Sequence, residues 1–393
     1  MSLITAPREI QLLIFGHLSC ADLVRLSETC SALKVAARDP ALWRRLTLTY
    51  KRIKEKTKAC RDHVRRCSEL KELNIIPGDI VIPWWTIAAS ENEERRTNMI
   101  MSVATQAKKT LTSFIISPIL PPLNSNSIYD ISKMTRLEKL AFGVGEQINI
   151  SSDIVYLANL KDLRSLKISG LGLISQEGIM PGKLEDLFSK LKKLEEVEIK
   201  SHRALSDKVI ESLVTNNPNL RHLDISTYDE VFSIRRGDPT DPTLTSRSII
   251  MIADKCPNLT YIDIGHLEMF TKIDILYLVS NCSRLKYANF ERTNIGDDSL
   301  RMLAHNCSDL EEMNLSGCEE ITYGGIKFFL NGAANFKLKH LDISDCEIYQ
   351  AYMRKIVRDH PSIEIVINDD YESIEIVISD DYESSDDEYS SDE

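Results

Sequence analysis

No apolar run in this 393-residue chain approaches the roughly 20 residues that a membrane-spanning helix needs, so no membrane partner is expected. The amino terminus has no basic stretch leading into an apolar one, the mark of a secretory signal. The nine cysteines are an odd number and include no Cys-x-x-Cys pair. A disulfide framework and a close-paired metal site are therefore not expected, and a reducing cytoplasm or nucleus is. Also missing are a phosphate loop, a nucleophile elbow and a metal-binding helix motif, so the expectation is no catalytic residue, no cofactor and no metal, and action by binding. Basic excess is absent as well. The net charge of -11 belongs to residues 368–393, which hold 12 of the 59 acidic side chains and none of the 48 basic ones. The remainder is close to neutral, which gives no reason to expect nucleic acid.

What the chain does have is a repeat. Leu70, Leu111, Leu137, Leu163, Leu194, Leu220, Leu259, Leu285, Leu310 and Leu338 each start one pattern, with apolar residues three and five positions later. Six of the nine spacings are 25, 26 or 28, and the others read as one unit plus an insertion. Alternation puts the +3 and +5 side chains on the inner face of a strand and those at +2 and +4 on the outer face. Helical spacing follows, as in Ile295, Leu300, Leu303 and Ala304, then Ile321, Ile326, Phe329 and Leu330. One such unit cannot bury its apolar side alone, so the units must stack into a curved α/β solenoid. Cys256, Cys282 and Cys307 recur at offsets of 26 and 25, which reads as a buried column of small apolar fillers rather than a metal site.

The run Asp309-Leu-Glu-Glu-Met-Asn-Leu-Ser-Gly-Cys318-Glu-Glu-Ile321 resembles the cysteine-containing subclass of leucine-rich repeats, common in F-box proteins. Ahead of the repeats, Pro7-Arg-Glu-Ile10, Ile14-Phe15-Gly-His-Leu18, Asp22-Leu23-Val-Arg-Leu26 and Asp39-Pro40-Ala-Leu42-Trp43 are similar to the F-box, with Ala6 where that family usually has Leu. Their periodicity reads as short helices, with Leu42, Trp43 and Leu46 on the last of them. The expected division is an F-box-like helical module at 1–49, a basic linker helix at 50–66, the solenoid at 67–367 and a disordered acidic tail at 368–393. The resemblance implies docking on the Skp-type adaptor of a cullin-RING (SCF) ubiquitin ligase through Pro7, Ile10, Ile14, Phe15, Leu18, Leu23 and Leu26, with Trp43 closing the module. A target recruited for ubiquitylation and degradation would sit on the solenoid. The alternative is a scaffold of the same build that tethers or sequesters its partner.

Long insertions follow the strands that begin near Leu70 and Leu220. The first carries Trp84 and Trp85, and the second, over 227–243, carries Arg235 and Arg236. Both leave after a strand and precede a helix, so they share a rim. The outer +2 column runs through Tyr261 and Tyr287 and the +4 column through Glu198, Asp224 and Asp263. That acidic, tyrosine-bearing face suits a basic target segment, with Glu198, Asp224, Arg235, Arg236, Tyr261, Asp263 and Tyr287 as its contacts. Residues 362–373 are nearly duplicated at 373–384. The first copy is expected to add a final strand. Ile374–Ile378 of the second resembles a SUMO-interacting motif, and a duplicated solenoid cap is the other reading.

Overall fold

Leu259, Ile262 and Ile264 are fully buried while Tyr261 and Asp263 between them face outward on strand β8, the alternation on which the whole sheet is built. The computed structural model describes residues 3–18, 20–50, 69–77, 91–117, 120, 123–143, 153–169, 181–200, 205–227, 244–332 and 337–368. Among the described residues twelve strands lie in chain order in a single parallel sheet. They are β1 Arg45–Thr49, β2 Glu72–Ile76, β3 Ser113–Ile116, β4 Lys139–Gly143, β5 Ser165–Ser169, β6 Glu196–Lys200, β7 His222–Asp224, β8 Tyr261–Asp263, β9 Tyr287–Asn289, β10 Glu312–Asn314, β11 His340–Asp342 and β12 Glu364–Val366. A parallel neighbour requires a crossover, and among the described residues helices supply most of them. Those of the solenoid are α4 Glu91–Gln106, α5 Ser125–Ile131, α6 Pro181–Lys190, α7 Asp207–Asn216, α8 Ser246–Lys255, α9 Lys272–Asn281, α10 Asp297–Asn306, α11 Tyr323–Gly332 and α12 Gln350–Asp359; a 3-10 turn, Ile154–Asn159, replaces one helix between β4 and β5. The amino-terminal module contributes α1 Arg8–Phe15, α2 Cys20–Ser27 and α3 Ser31–Ala37.

Strands β7 to β11 each end by the same local device. The Oδ1 atoms of Asp224, Asp263, Asn289, Asn314 and Asp342 accept the backbone N–H two residues on, at 2.8 to 3.1 Å. The chain then turns through left-handed residues at the same place in four successive repeats, His266, Arg292, Gly317 and Asp345, with φ between 50° and 66°. The N–H groups of the first three bond sideways to Glu291, Ser316 and Ser344 carbonyls, which offsets a strain of roughly 1 kcal/mol each in the non-glycine cases.

The cysteine column lies where sequence placed it. Cys256, Cys282 and Cys307 are fully buried at the carboxyl ends of α8, α9 and α10. Their Sγ–H groups point at the carbonyls of Asn217, Cys256 and Cys282, the cap residues one repeat earlier. Burial pushes all three thiols up to about 12, so they remain protonated.

Helix starts are tied across repeats too. The Asp297 carboxylate accepts the Thr322 N–H at 2.9 Å and its hydroxyl at 2.7 Å, and a Cβ at Gly325 would lie 2.0 Å from that carboxylate. Gly325→Ala is therefore expected to cost about 1–3 kcal/mol in urea unfolding, because overpacking displaces a bonded group. Combining it with Asp297→Ala should cost less than the sum of the two single changes, since truncating Asp297 removes the carboxylate that the new Cβ collides with.

One expectation needs correction. Leu46 does not continue a helix: Pro40–Trp43 is a single 3-10 turn, and Arg45–Thr49 is the first strand of the sheet, in register with β2 from Arg45↔Glu72 to Thr49↔Ile76. Alternating Leu46 and Leu48 can pack inward as a strand beside Leu73 and Ile75, and the Lys71 and Glu72 N–H groups bond the Arg44 carbonyl. The Arg96 guanidinium of α4 lies 4.9 Å over the Tyr50 ring just beyond β1. The helical module and the solenoid therefore share one sheet and one core, from Phe15 to Ile356. Of the expected linker helix at 50–66, all but Tyr50 lies outside the described residues. The first copy of the duplicated segment does supply the last strand, β12.

Candidate functional site

The amino-terminal module turns an apolar face outward. Along α1, Gln11 and Phe15 point inward and are buried, whereas Ile10, Leu13 and Ile14 are 46%, 67% and 44% exposed. Leu18, after α1, and Leu3 and Ile4, before it, extend this face. The Gln11 side-chain amide donates to the Leu3 and Ile4 carbonyls, at 3.0 and 3.3 Å, and so fixes the turn Leu3–Thr5 against the helix. Behind α1, Arg8 pairs with Asp39, and that bond with the guanidinium holds the Asp39 carboxyl below its usual value. The Trp43 indole N–H donates to the Ala37 carbonyl at 2.8 Å, closing the module. Of the residues expected to hold a partner, Pro7, Ile10, Ile14 and Leu18 lie on the surface, Leu26 is half-buried, and Phe15 and Leu23 are each 1% exposed. The last two support the face from beneath. Leu13, the most exposed apolar residue of α1, belongs to the face by its helical position.

The outer face of the sheet carries a second arrangement. His222, Tyr261 and Tyr287 occupy registered positions on β7, β8 and β9, and their rings stack with centroids 3.7 and 4.2 Å apart. Burial pushes both phenols up, reinforced at each by the carboxylates of Asp263 and Asp224 and, at Tyr261 alone, by Tyr287. Glu196 and Glu312 flank the ladder at the same register.

The acidic column beside the ladder is not what sequence implied. Asp224 and Asp263 are 1% and 3% exposed. Asp224 accepts from the Ser226 N–H and hydroxyl and lies 3.0 Å from Lys200 Nζ, and Asp263 accepts from the Gly265 N–H. Their carboxylates close the strand ends and are not presented to a target. Glu198 is paired with Lys167 and lies 3.0 Å from His222 Nε2; although burial opposes ionisation, those two neighbours hold its carboxyl at about 2. What this part of the face presents is the ring ladder, with the Lys167–Glu198 and Lys200–Asp224 pairs beside it and the Glu196 and Glu312 carboxylates at its two ends. Arg235, Arg236, Trp84, Trp85 and Ile374–Ile378 lie outside the described residues.

Two neighbouring carboxylates in one buried column have a measurable consequence. Burial first, and the Asp224 charge second, push Asp263 up to about 6. A carboxyl raised in this way favours the folded state only while protonated. Its stabilisation is complete below about pH 4 and lost as pH rises through about 6. Asp263→Asn keeps the oxygen that the Gly265 N–H needs and repeats the choice made at Asn289 and Asn314. It is expected to raise stability at pH 7.5 by roughly 1–3 kcal/mol and to leave it unchanged near pH 4, in urea melts at the two pH values.

Comparison with known proteins finds matches for two segments of the chain and for its fold. Residues 7–49 match the F-box-like family, and residues 334–348 match a leucine-rich repeat. A chain of the crystal structure of the yeast Rad7 and Elc1 complex is similar in fold, with a TM-score of 0.57, 17% identity, and coverage of 92% of this chain and 90% of that one. A Bacteroides fragilis protein aligns over 78% of this chain and 75% of its own at 17% identity, with a TM-score of 0.38, too low to bear on the argument. An F-box-like domain thus stands at the amino end of a leucine-rich-repeat solenoid.

Proposed function

We propose that this chain is a substrate receptor of an SCF-type ubiquitin ligase: α1 and its flanking turns hold a Skp-type adaptor, and the solenoid holds the target. The observation that carries this reading is the exposed apolar face of Leu3, Ile4, Ile10, Leu13, Ile14 and Leu18, which lies in and just before the residues that match the F-box-like family. An apolar patch of that kind, set on a rigid module, is what a protein partner covers. The similar yeast chain was itself crystallised in a complex. F-box and leucine-rich-repeat proteins are typically non-catalytic adaptors. Acceleration would then come from holding the target near a charged enzyme, a proximity effect supplied by partners.

The test is capture of the adaptor, the cullin and a target from cells with the proteasome blocked. A target whose half-life lengthens under the block supports the receptor. A captured partner with unchanged turnover supports the tethering scaffold instead, and failure to capture the adaptor removes both.

On the target side the ring ladder is the contact that remains once Asp224 and Asp263 are accounted for. Tyr261→Ala and Tyr287→Ala should each weaken the captured target by about 1–3 kcal/mol and leave adaptor binding intact, measured by titration of purified components. Unchanged target affinity in both folded variants would move the contact elsewhere on the solenoid.

A further inference from the structure

At the far end of the sheet from α1, between the starts of α11 and α12, lies a cavity of about 290 Å³. It is lined by Tyr323, Tyr349 and Tyr352, by the buried Ile321 and Ile348, and by Thr322, Glu319 and Glu347. The rings of Tyr323 and Tyr352 stack at 4.6 Å, and those of Tyr349 and Tyr352 meet at 69° with centroids 6.3 Å apart. Two ring planes set at that angle form a corner. Tyr349 is 78% exposed and Tyr352 47%, an unusual solvent exposure for neighbouring aromatic residues.

Electrostatics choose the occupant. Glu319 and Glu347 are exposed, and neither is ion-paired among the described residues. Two helix starts face the cavity, but each contributes only about half a positive charge, and the first donors of α11 are partly taken by Thr322. The carboxylates outweigh them. Lys327 approaches the Tyr323 ring at 6.0 Å, which leaves the Tyr349–Tyr352 corner for an incoming cation. Faces of tyrosine rings combined with unpaired carboxylates favour an ammonium group, and favour it more when methyl groups weaken its hydration. The volume is slightly below the usual range of small-molecule sites and suits the head of one side chain.

We propose that this corner binds the alkylammonium side chain of a lysine, free or methylated, on a partner protein. As the anchor for a target it rests on the receptor reading. The binding itself does not, and it is measured without the adaptor, so the two can fail separately.

The test uses the whole chain and three blocked amino acids: N-acetyl-trimethyllysine methylamide, the lysine analogue and the norleucine analogue. Tyrosine ring resonances are followed by NMR. Both cations are expected to shift the rings of Tyr349 and Tyr352, the trimethylated one binding more tightly, with norleucine at least about tenfold weaker. Tyr352→Ala should weaken the trimethyllysine probe about tenfold, and Glu347→Gln about threefold, with circular dichroism unchanged. Norleucine binding as well as the cations would show a merely apolar cleft and overturn the proposal. So would affinity unchanged by Tyr352→Ala, or no shift with any probe. Cosedimentation with phosphatidylcholine vesicles that Tyr352→Ala abolishes, with no shift from either lysine probe, would assign the corner to a lipid headgroup and overturn the choice of partner.

Discussion

Adaptor capture is expected to fall at least about 100-fold when Leu13 and Ile14 are both replaced by Asp, with no change in the thermal melt. Both side chains already meet water, at 67% and 44% exposure, so the unbound fold loses little by the exchange. Bound, each would place a carboxylate in an apolar interface centre, where single anchors typically account for 2 kcal/mol or more. Two such losses exceed the roughly 2.7 kcal/mol that corresponds to 100-fold. Phe15→Asp is a different experiment. Its ring is 1% exposed, and an unpaired charge there unfolds the module, so loss of capture would say nothing about contact. Retained capture by the folded Leu13/Ile14 variant, measured by co-purification, would remove the proposed docking face.

Asn217→Ala is expected to give the largest stability loss among single polar substitutions in the solenoid, about 3–4 kcal/mol. The side chain is 1% exposed and makes three bonds: its Oδ1 accepts the Leu194 N–H at 2.8 Å, and its Nδ2 donates to the Leu191 and Leu213 carbonyls at 3.0 Å each. Truncation strands all three groups away from water. Asn217→Cys should be nearly as costly, although cysteine stands at the equivalent position in the next three repeats. Before Cys256 and Cys282 the leucine N–H of the preceding repeat is met by that repeat's own cap carbonyl, as Leu220 bonds Asn217 and Leu259 bonds Cys256, whereas Leu194 depends on the amide from the following repeat. Urea unfolding should show a lower midpoint and a shallower slope, because a weakened joint in a one-dimensional stack lets its two sides melt separately.

The repeat frame was legible because its signal is redundant. Leucines at 25- to 28-residue spacing and buried pairs such as Ile262 and Ile264 point the same way in unit after unit, so one misread unit changes nothing. β1 was harder to see. Five residues after a Pro40–Trp43 turn carry too little periodicity to oppose the helical pattern before them, and only the register with β2 reveals the strand. Asp224 and Asp263 show a second limit. Alternation correctly put them on the outer face, but it cannot tell a carboxylate offered to solvent from one turned back onto the N–H two residues on. The α1 face had the opposite fault. Its apolar spacing was plain, and nothing in spacing alone says whether such a stripe is core or surface; only the burial of Gln11 and Phe15 shows that α1 packs on its other side. The tyrosine-lined cavity combines two separate repeats, Tyr323 from one and Tyr349 and Tyr352 from the next, and no local pattern joins them.

Because β1 is hydrogen-bonded into the same sheet as β12, the chain behaves as a ruler. Eleven strand-to-strand steps of roughly 4.8 Å set an arc of about 50 Å between whatever is gripped at α1 and whatever is gripped beside β12. That reach is graduated in whole repeats. Adding or deleting a repeat should move the far grip by one step and rotate it by one increment of the solenoid's curvature, while lengthening a surface loop should move it not at all. A tethered pair joined by an extensible segment would show the reverse dependence, so distance measurements between labels near α1 and α12 in repeat-deletion variants would read the graduation directly.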